Sequence, residues 1–139
     1  MSEERMRVAR DFTTQVAIVG GGPVGLVLAL YLDFYGVRTT LFNTEDHARW
    51  HPKGNGQNAR TMEHYRQLGF SDDVRQLGLP GDHRFDQGYF TRLSAHEIYR
   101  FPMPSRDERI AMRRRMPATD QLPEPMFHVN QMYVERYLL

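Results

Sequence analysis

Residues 16–34 read VAIVGGGPVGLVLALYLDF, and the fold turns on how the GGGPVG in the middle is read. The short run from Gln15 to Val19 has the composition of a buried strand. PVGLVLALYLDF has no strand-like alternation, is apolar almost all round as far as Asp33, and predicts a buried helix that Gly36 can stop. Between strand and helix, Gly20, Gly22 and Gly25 stand in the spacing GxGxxG. In a dinucleotide fold the first glycine permits the tight turn out of the strand. The second lets the backbone approach a pyrophosphate, and the third lets helix and strand pack closely. Pro23 suits the first helical turn, whose N–H groups have no partner inside the helix and, with the aligned peptide dipoles, favour an anion. The bare spacing is a weak signal. A strand before it and a helix after it make it evidence for a dinucleotide, without choosing among FAD, NAD and NADP.

Reading outward, Val37 to Phe42 return to strand composition. Residues 15–42 are therefore expected to form a β-α-β unit with parallel strands and a right-handed crossover. At the end of such a second strand, about 20 residues on, an acidic side chain ordinarily accepts hydrogen bonds from the adenosine ribose. Asn43 holds that place here. Its amide oxygen still accepts, without the charge that strengthens such bonds, and Glu45 and Asp46 follow either as substitutes or as solvated surface residues.

A polar loop is expected from Asn43 to about Gln57. Next comes a helix capped by Asn58, with Ala59, Met62, Tyr65 and Leu68 along one side and Gly69 at its end. SDDVRQLGLPG adds a short helical turn with Ser71 as its cap. Residues 88–103 mix aromatic and β-branched side chains with turn formers and read as two short strands of a hairpin. Residues 104–125 hold four prolines and the run Arg113, Arg114, Arg115, and are expected to be extended or loop-rich. Asn130 can cap a final helix, QMYVERYLL. Two parallel strands with one crossover make only part of a doubly wound sheet, so the chain is expected to stop before its fold is complete.

A composition of 40% hydrophobic residues with both charge signs along the chain is that of a globular domain. The net charge of +1 gives no electrostatic footprint for nucleic acid. The chain has no cysteine, which removes disulfides, a thiol nucleophile and thiolate metal ligation. The N-terminus lacks a secretory apolar core, and VGLVLALYL is too short to cross a bilayer, so the cytoplasm is the default expectation and no membrane partner is expected. The six histidines form no HExxH or other regular spacing, and no metal site is expected.

Three segments in order, VAIVGGGPVGLVLALYL, HPKGNGQNARTMEHYRQLG and MFHVNQMYVERYLL, resemble the N-terminal part of the class A flavoprotein monooxygenases. These are the aromatic hydroxylases of the para-hydroxybenzoate and phenol hydroxylase type. The first segment is generic; the second and third are more specific, and the likeness is weakest from about 80 to 125. The resemblance implies an α/β, Rossmann-like FAD-binding fold, incomplete here, with the beginning of an interleaved substrate-domain sheet. In those terms 1–14 is an N-terminal arm and 15–87 the N-terminal part of the FAD-binding domain. Residues 88–125 start the substrate-binding sheet and its connecting loop, and 126–139 return to the FAD-binding domain.

By the same resemblance FAD would be held by Gly20, Gly22, Pro23, Gly25, Asn43, Lys53, Arg60 and Gln131. Asn43 replaces the family's usual acid, and Lys53 stands where an arginine is common. Arg60 would bond the cofactor phosphate or ribityl region, against the alternative of a helix-surface pair with Glu63. The implied chemistry is reduction of FAD by NADPH or NADH, then oxygen transfer to a phenolic or related aromatic ring through a flavin C4a-hydroperoxide. The partners are thus an aromatic small molecule and molecular oxygen, with a homo-oligomer left open. No residue in this stretch is assigned a bond-making role, and the chain alone is expected to be inactive. Two alternatives remain from the residues alone: an NAD(P)-dependent reductase or dehydrogenase, and a catalytically inactive truncated or assembly module.

Overall fold

The computed structural model describes residues 13–45, 50–51, 53–117 and 124–139. Strand β1 (Val16–Val19) runs parallel to β2 (Thr39–Phe42), with Val16 opposite Thr39 and Val19 opposite Phe42. Helix α1 (Pro23–Phe34) connects them, which gives the β-α-β unit that the glycine spacing predicts. α1 ends where Gly36 takes φ 71°, a left-handed conformation that suits glycine. There Val37 N–H donates to Leu32 O at 2.7 Å and Gly36 N–H to Asp33 O at 2.8 Å, a Schellman closure.

Helix α2 (Ala59–Gln67) starts as expected, with the Asn58 side chain accepting from Thr61 N–H at 2.8 Å. It ends in the same kind of closure: Gly69 has φ 89°, and Phe70 N–H donates to Tyr65 O at 3.0 Å. That closure corrects one expectation. Because Phe70 leads straight into α3 (Ser71–Gln76), Phe70 is the cap residue and Ser71 is already helical.

The expected hairpin is present as β4 (Gln87–Phe90) and β5 (Glu97–Phe101), antiparallel with an irregularity at Tyr89 and Phe90. The loop-rich reading of 104–125 is corrected by α4 (Arg106–Arg115). Ser105 Oγ accepts from Glu108 N–H at 3.2 Å, and the Glu108 carboxylate accepts from Ser105 N–H at 2.7 Å, a capping box. The acids Asp107 and Glu108 fall in the first turn and Arg113, Arg114 and Arg115 in the last, so the arginine run sits where the helix dipole favours cations.

A third correction falls in the expected loop 43–57. Gly56–Gln57 form β3, which pairs antiparallel with β6 (Phe127–His128) and draws the end of the chain onto the loop. Helix α5 (Gln131–Leu138) follows and packs on α1. Asn130 occupies its cap position but makes no side-chain capping bond. The core consists of Leu26, Met62, Tyr65, Val74, Phe127, Val129, Val134 and Leu138, drawn from α1, α2, α3, β6, the link that follows it and α5. Tyr31 ties α1 to α2, its hydroxyl donating to Gln67 Oε1 at 2.7 Å. The β-α-β unit is thereby anchored to the rest of the chain through helices.

Candidate cofactor site

The glycines of the turn differ in what they do. Gly20 lies at φ 114° with nothing within 4 Å of where a Cβ would stand, so the turn needs its conformation and not its size. Its N–H continues the strand pairing to Phe42 O at 2.8 Å. At Gly25 the constraint is space. A Cβ would overlap the Gly20 carbonyl oxygen and come within 3.1 Å of Gly20 C and 3.4 Å of Ile18 Cγ2. Gly22 is the N-cap of α1 with ordinary φ −78°, and a Cβ there would meet nothing within 4 Å. Its face is therefore open to a ligand. The first helical bond is Leu26 N–H to Gly22 O at 3.0 Å; the N–H groups of Val24 and Gly25 precede that ladder, and Pro23 contributes none.

Asn43, at the exit of β2, touches this turn. Its Oδ1 accepts from Gly21 N–H at 3.1 Å, and its Nδ2 donates to Glu45 O at 2.8 Å. Gly21, which the sequence reading gave no role, is where Asn43 comes close to the turn: a Cβ there would lie 2.9 Å from Asn43 Cγ. The middle glycine of GGG was the available signal. Asp46, the other candidate acid of this loop, lies outside the described residues.

A second group of residues gathers on the β3–β6 pair. Val129 N–H donates to Asn55 O and Gln131 N–H to Gly54 O, both at 2.9 Å, which sets the start of α5 beside the loop carrying exposed Lys53. The Gln131 side chain donates through Nε2 to Glu135 Oε1 at 2.6 Å, while its Oε1 lies 3.5 Å from where a Cβ on Gly54 would be. Arg60 is turned elsewhere. Its Nη1 pairs with Glu63 Oε2 at 2.7 Å, with the arginine side chain 63% exposed and the glutamate 9%. The structure thus brings Asn43 to the glycine turn and Gln131 to Gly54, and it holds Arg60 in the surface pair that its i,i+3 spacing allows.

One feature escaped the sequence reading. His128 stacks on Phe85 with ring centroids 3.7 Å apart, and with His83, Asn55 and Tyr133 they line a cavity of about 380 Å³. Burial, then the nearby charges of Arg109 and His83, hold the His128 imidazole below its usual pKa. The alternation in FHV, with Phe127 and Val129 in the core and His128 between them, was the signal for a side chain on the opposite face.

Residues 13–139 match the family described as the FAD binding domain. The chain belongs to that family. This FAD-binding domain sequence is 35% identical over 124 residues to the FAD-dependent monooxygenase apdD of Emericella nidulans, covering 88% of this chain and 20% of that protein. It is 31% identical over 132 residues to a 2,4-dichlorophenol 6-monooxygenase of Cupriavidus pinatubonensis, covering 95% of this chain and 21% of that protein. Among solved structures it resembles the flavin-dependent monooxygenase PieE, solved with FAD and substrate, with TM-score 0.76 and 30% identity over 94% of this chain and 22% of that one. It also resembles the rebeccamycin biosynthetic enzyme RebC with reduced flavin, with TM-score 0.75 and 35% identity over 90% of this chain and 23% of that one. The FAD-binding domain sequence spans about a fifth of the length of the curated relatives it matches. Among the described residues no helix is long and apolar enough to cross a membrane.

The residues present fit the diphosphate part of FAD on structural grounds. The backbone is open at Gly22, the first-turn N–H groups of α1 lie beside it, and no carboxylate is among the residues of the turn.

Proposed function

We propose that this chain forms the FAD cradle of a monooxygenase that hydroxylates a phenolic or related aromatic ring, with NADPH or NADH as reductant. The observation that carries the reading is the turn at Gly20–Gly25. Gly25 seats α1 against β1, which leaves Gly22 with an open face at the helix N-terminus. There the N–H groups of Val24 and Gly25 would donate to the diphosphate, and the helix dipole would favour its charge. Asn43 stands at the ribose end, Lys53 supplies a cation in the adjoining loop, and Gln131 offers its amide beside Gly54. Arg60 would join only by leaving Glu63. The likeness to a dichlorophenol 6-monooxygenase supports the aromatic substrate class, and the likeness to PieE, solved with FAD and substrate, supports the cofactor.

Bound FAD supplies the redox and oxygen-activating chemistry. The part of this chain is to bind and orient. Leu26 and the core beneath α1 hold the cradle rigid, so that the nucleotide meets donors already in place. None of these residues is assigned a direct part in breaking or forming substrate bonds.

The reading is tested by purifying this chain and the product of the longest continuous reading frame that contains it, recording flavin absorbance in both, then NAD(P)H oxidation by the longer product with and without a panel of phenols. Bound or reconstitutable FAD with phenol-stimulated oxidation is expected. A protein that neither carries nor takes up FAD would overturn it.

A further inference from the structure

Asn43 stands where a dinucleotide fold ordinarily places an acid, and its two hydrogen bonds account for an amide there. We propose that Asn43 is a positioning residue that clasps the glycine turn to the loop leaving β2, and that its amide nitrogen is the reason an amide is needed there. The functional consequence rests on the FAD reading above; the clasp itself is a property of the chain.

The side chain works in two directions at once. Its oxygen accepts from Gly21 N–H at 3.1 Å, and its nitrogen donates to Glu45 O at 2.8 Å. An aspartate could do only the first. A carboxylate has no hydrogen, so its second oxygen would face the Glu45 carbonyl, acceptor against acceptor. Gly21 shows the same adaptation from the other side. Its φ is not in the left-handed region, yet a Cβ would lie 2.9 Å from Asn43 Cγ and 3.0 Å from Asn43 Cβ. Glycine at 21 therefore makes room for the clasp, separately from the turn conformation set at Gly20 and the helix packing set at Gly25.

By joining the turn to the β2 exit, the clasp holds Gly22 and the start of α1 in the open arrangement before any nucleotide arrives. Preorganisation of this kind raises affinity without a direct contact. The ribose then gains less from position 43 than it would from a free carboxylate, because the amide oxygen is already engaged by Gly21.

An aspartate variant separates this from the ribose-acceptor reading, because the two predict opposite responses to pH. Among the described residues the titratable neighbour on the loop is Glu45, with Asp46 and His47 lying outside them; the glycine turn and β2 carry no titratable side chain. Wild type shares Glu45, so variant-to-wild-type ratios isolate position 43. The full chain is compared as wild type, Asn43→Asp and Asn43→Ala, by flavin-fluorescence titration with FAD at pH 8 and pH 4.5 and by thermal melting without FAD. For a clasp, Asn43→Asp binds FAD about three- to tenfold more weakly than wild type at pH 8. The gap begins to narrow by pH 4.5, as the fraction of carboxyl that is protonated and can again donate to Glu45 O rises. Asn43→Ala stays weak at both pH values, and the melting temperatures without FAD follow the same pattern. Affinity for Asn43→Asp equal to or tighter than wild type at pH 8, or a gap that widens on acidification, would overturn the clasp in favour of a ribose acceptor. If wild type bound no FAD, the cradle reading would fall. The melts would still decide the clasp, and an Asn43→Asp melt matching wild type at pH 8 would reject it.

Discussion

Gly25→Ala places one methyl group into the tightest space beside any of the chain's glycines. Its neighbours are the carbonyl oxygen of Gly20, which it would overlap, Gly20 C at 3.1 Å and Ile18 Cγ2 at 3.4 Å. Two of the three atoms are backbone, and Gly20 is already committed to φ 114°, so neither can swing aside. Relief requires the first turn of α1 to lift from β1 by on the order of 1 Å, which loosens buried Leu26 against the core. Overpacking of this kind costs roughly 3 kcal/mol at the upper end of its usual range. Against it stands the helix preference for alanine over glycine, about 1 kcal/mol in the opposite direction. The expected net is therefore a loss of about 2 kcal/mol, and its sign alone is diagnostic. Urea unfolding of the FAD-free full chain measures it: with a slope near 2 kcal/mol per molar, the midpoint should fall by about 1 M. A midpoint that stays or rises would mean that helix propensity governs and that Gly25 does not hold α1 against β1.

Two further outcomes follow, one from the cap of α4 and one from the side chain that orients Gln131. Ser105→Ala removes the hydroxyl half of the capping box, leaving the backbone N–H of residue 105 to the Glu108 carboxylate, and should cost about 1 kcal/mol locally, seen as faster amide hydrogen exchange through α4; unchanged exchange would mean the helix does not depend on its cap. Glu135→Gln keeps the size of a side chain only 3% exposed but removes the anion that holds the Gln131 amide. FAD affinity should then fall about fivefold with melting temperature held or raised, since a buried charge has been removed. Equal affinity by fluorescence titration would disconnect the orientation of Gln131 from the cofactor.

The β-α-β unit was legible because its signals are local. The turn at Gly20, Pro23 and the helix-ending Gly36 each impose a backbone conformation that no distant residue needs to supply, as Gly69 does at the end of α2. α4 was obscured for the opposite reason: it buries none of its residues fully, so it has no apolar stripe, and the flanking prolines drew attention from Ser105 and Glu108. The pairing of β3 with β6 joins Gly56–Gln57 to Phe127–His128 and could not be read from either segment alone; Gln131 and His128 owe their positions to it. At position 43 the sequence revealed an acceptor without a charge. That the same amide also donates to Glu45 O depends on how the loop folds back, which only the structure displays.

Gly22→Ala is the most direct test of the cradle. Gly22 has an ordinary φ and an empty surround, so the methyl should leave the FAD-free melting temperature within about 2 °C of wild type, the range of a surface substitution. The same methyl would occupy the face toward which the diphosphate is expected to lie. Fluorescence titration of the full chain should show FAD bound by wild type and at least about tenfold weaker binding by the variant, a loss of roughly 1.4 kcal/mol or more. An intact variant that binds FAD as tightly as wild type would contradict the claim that the turn at Gly20–Gly25 holds the cofactor.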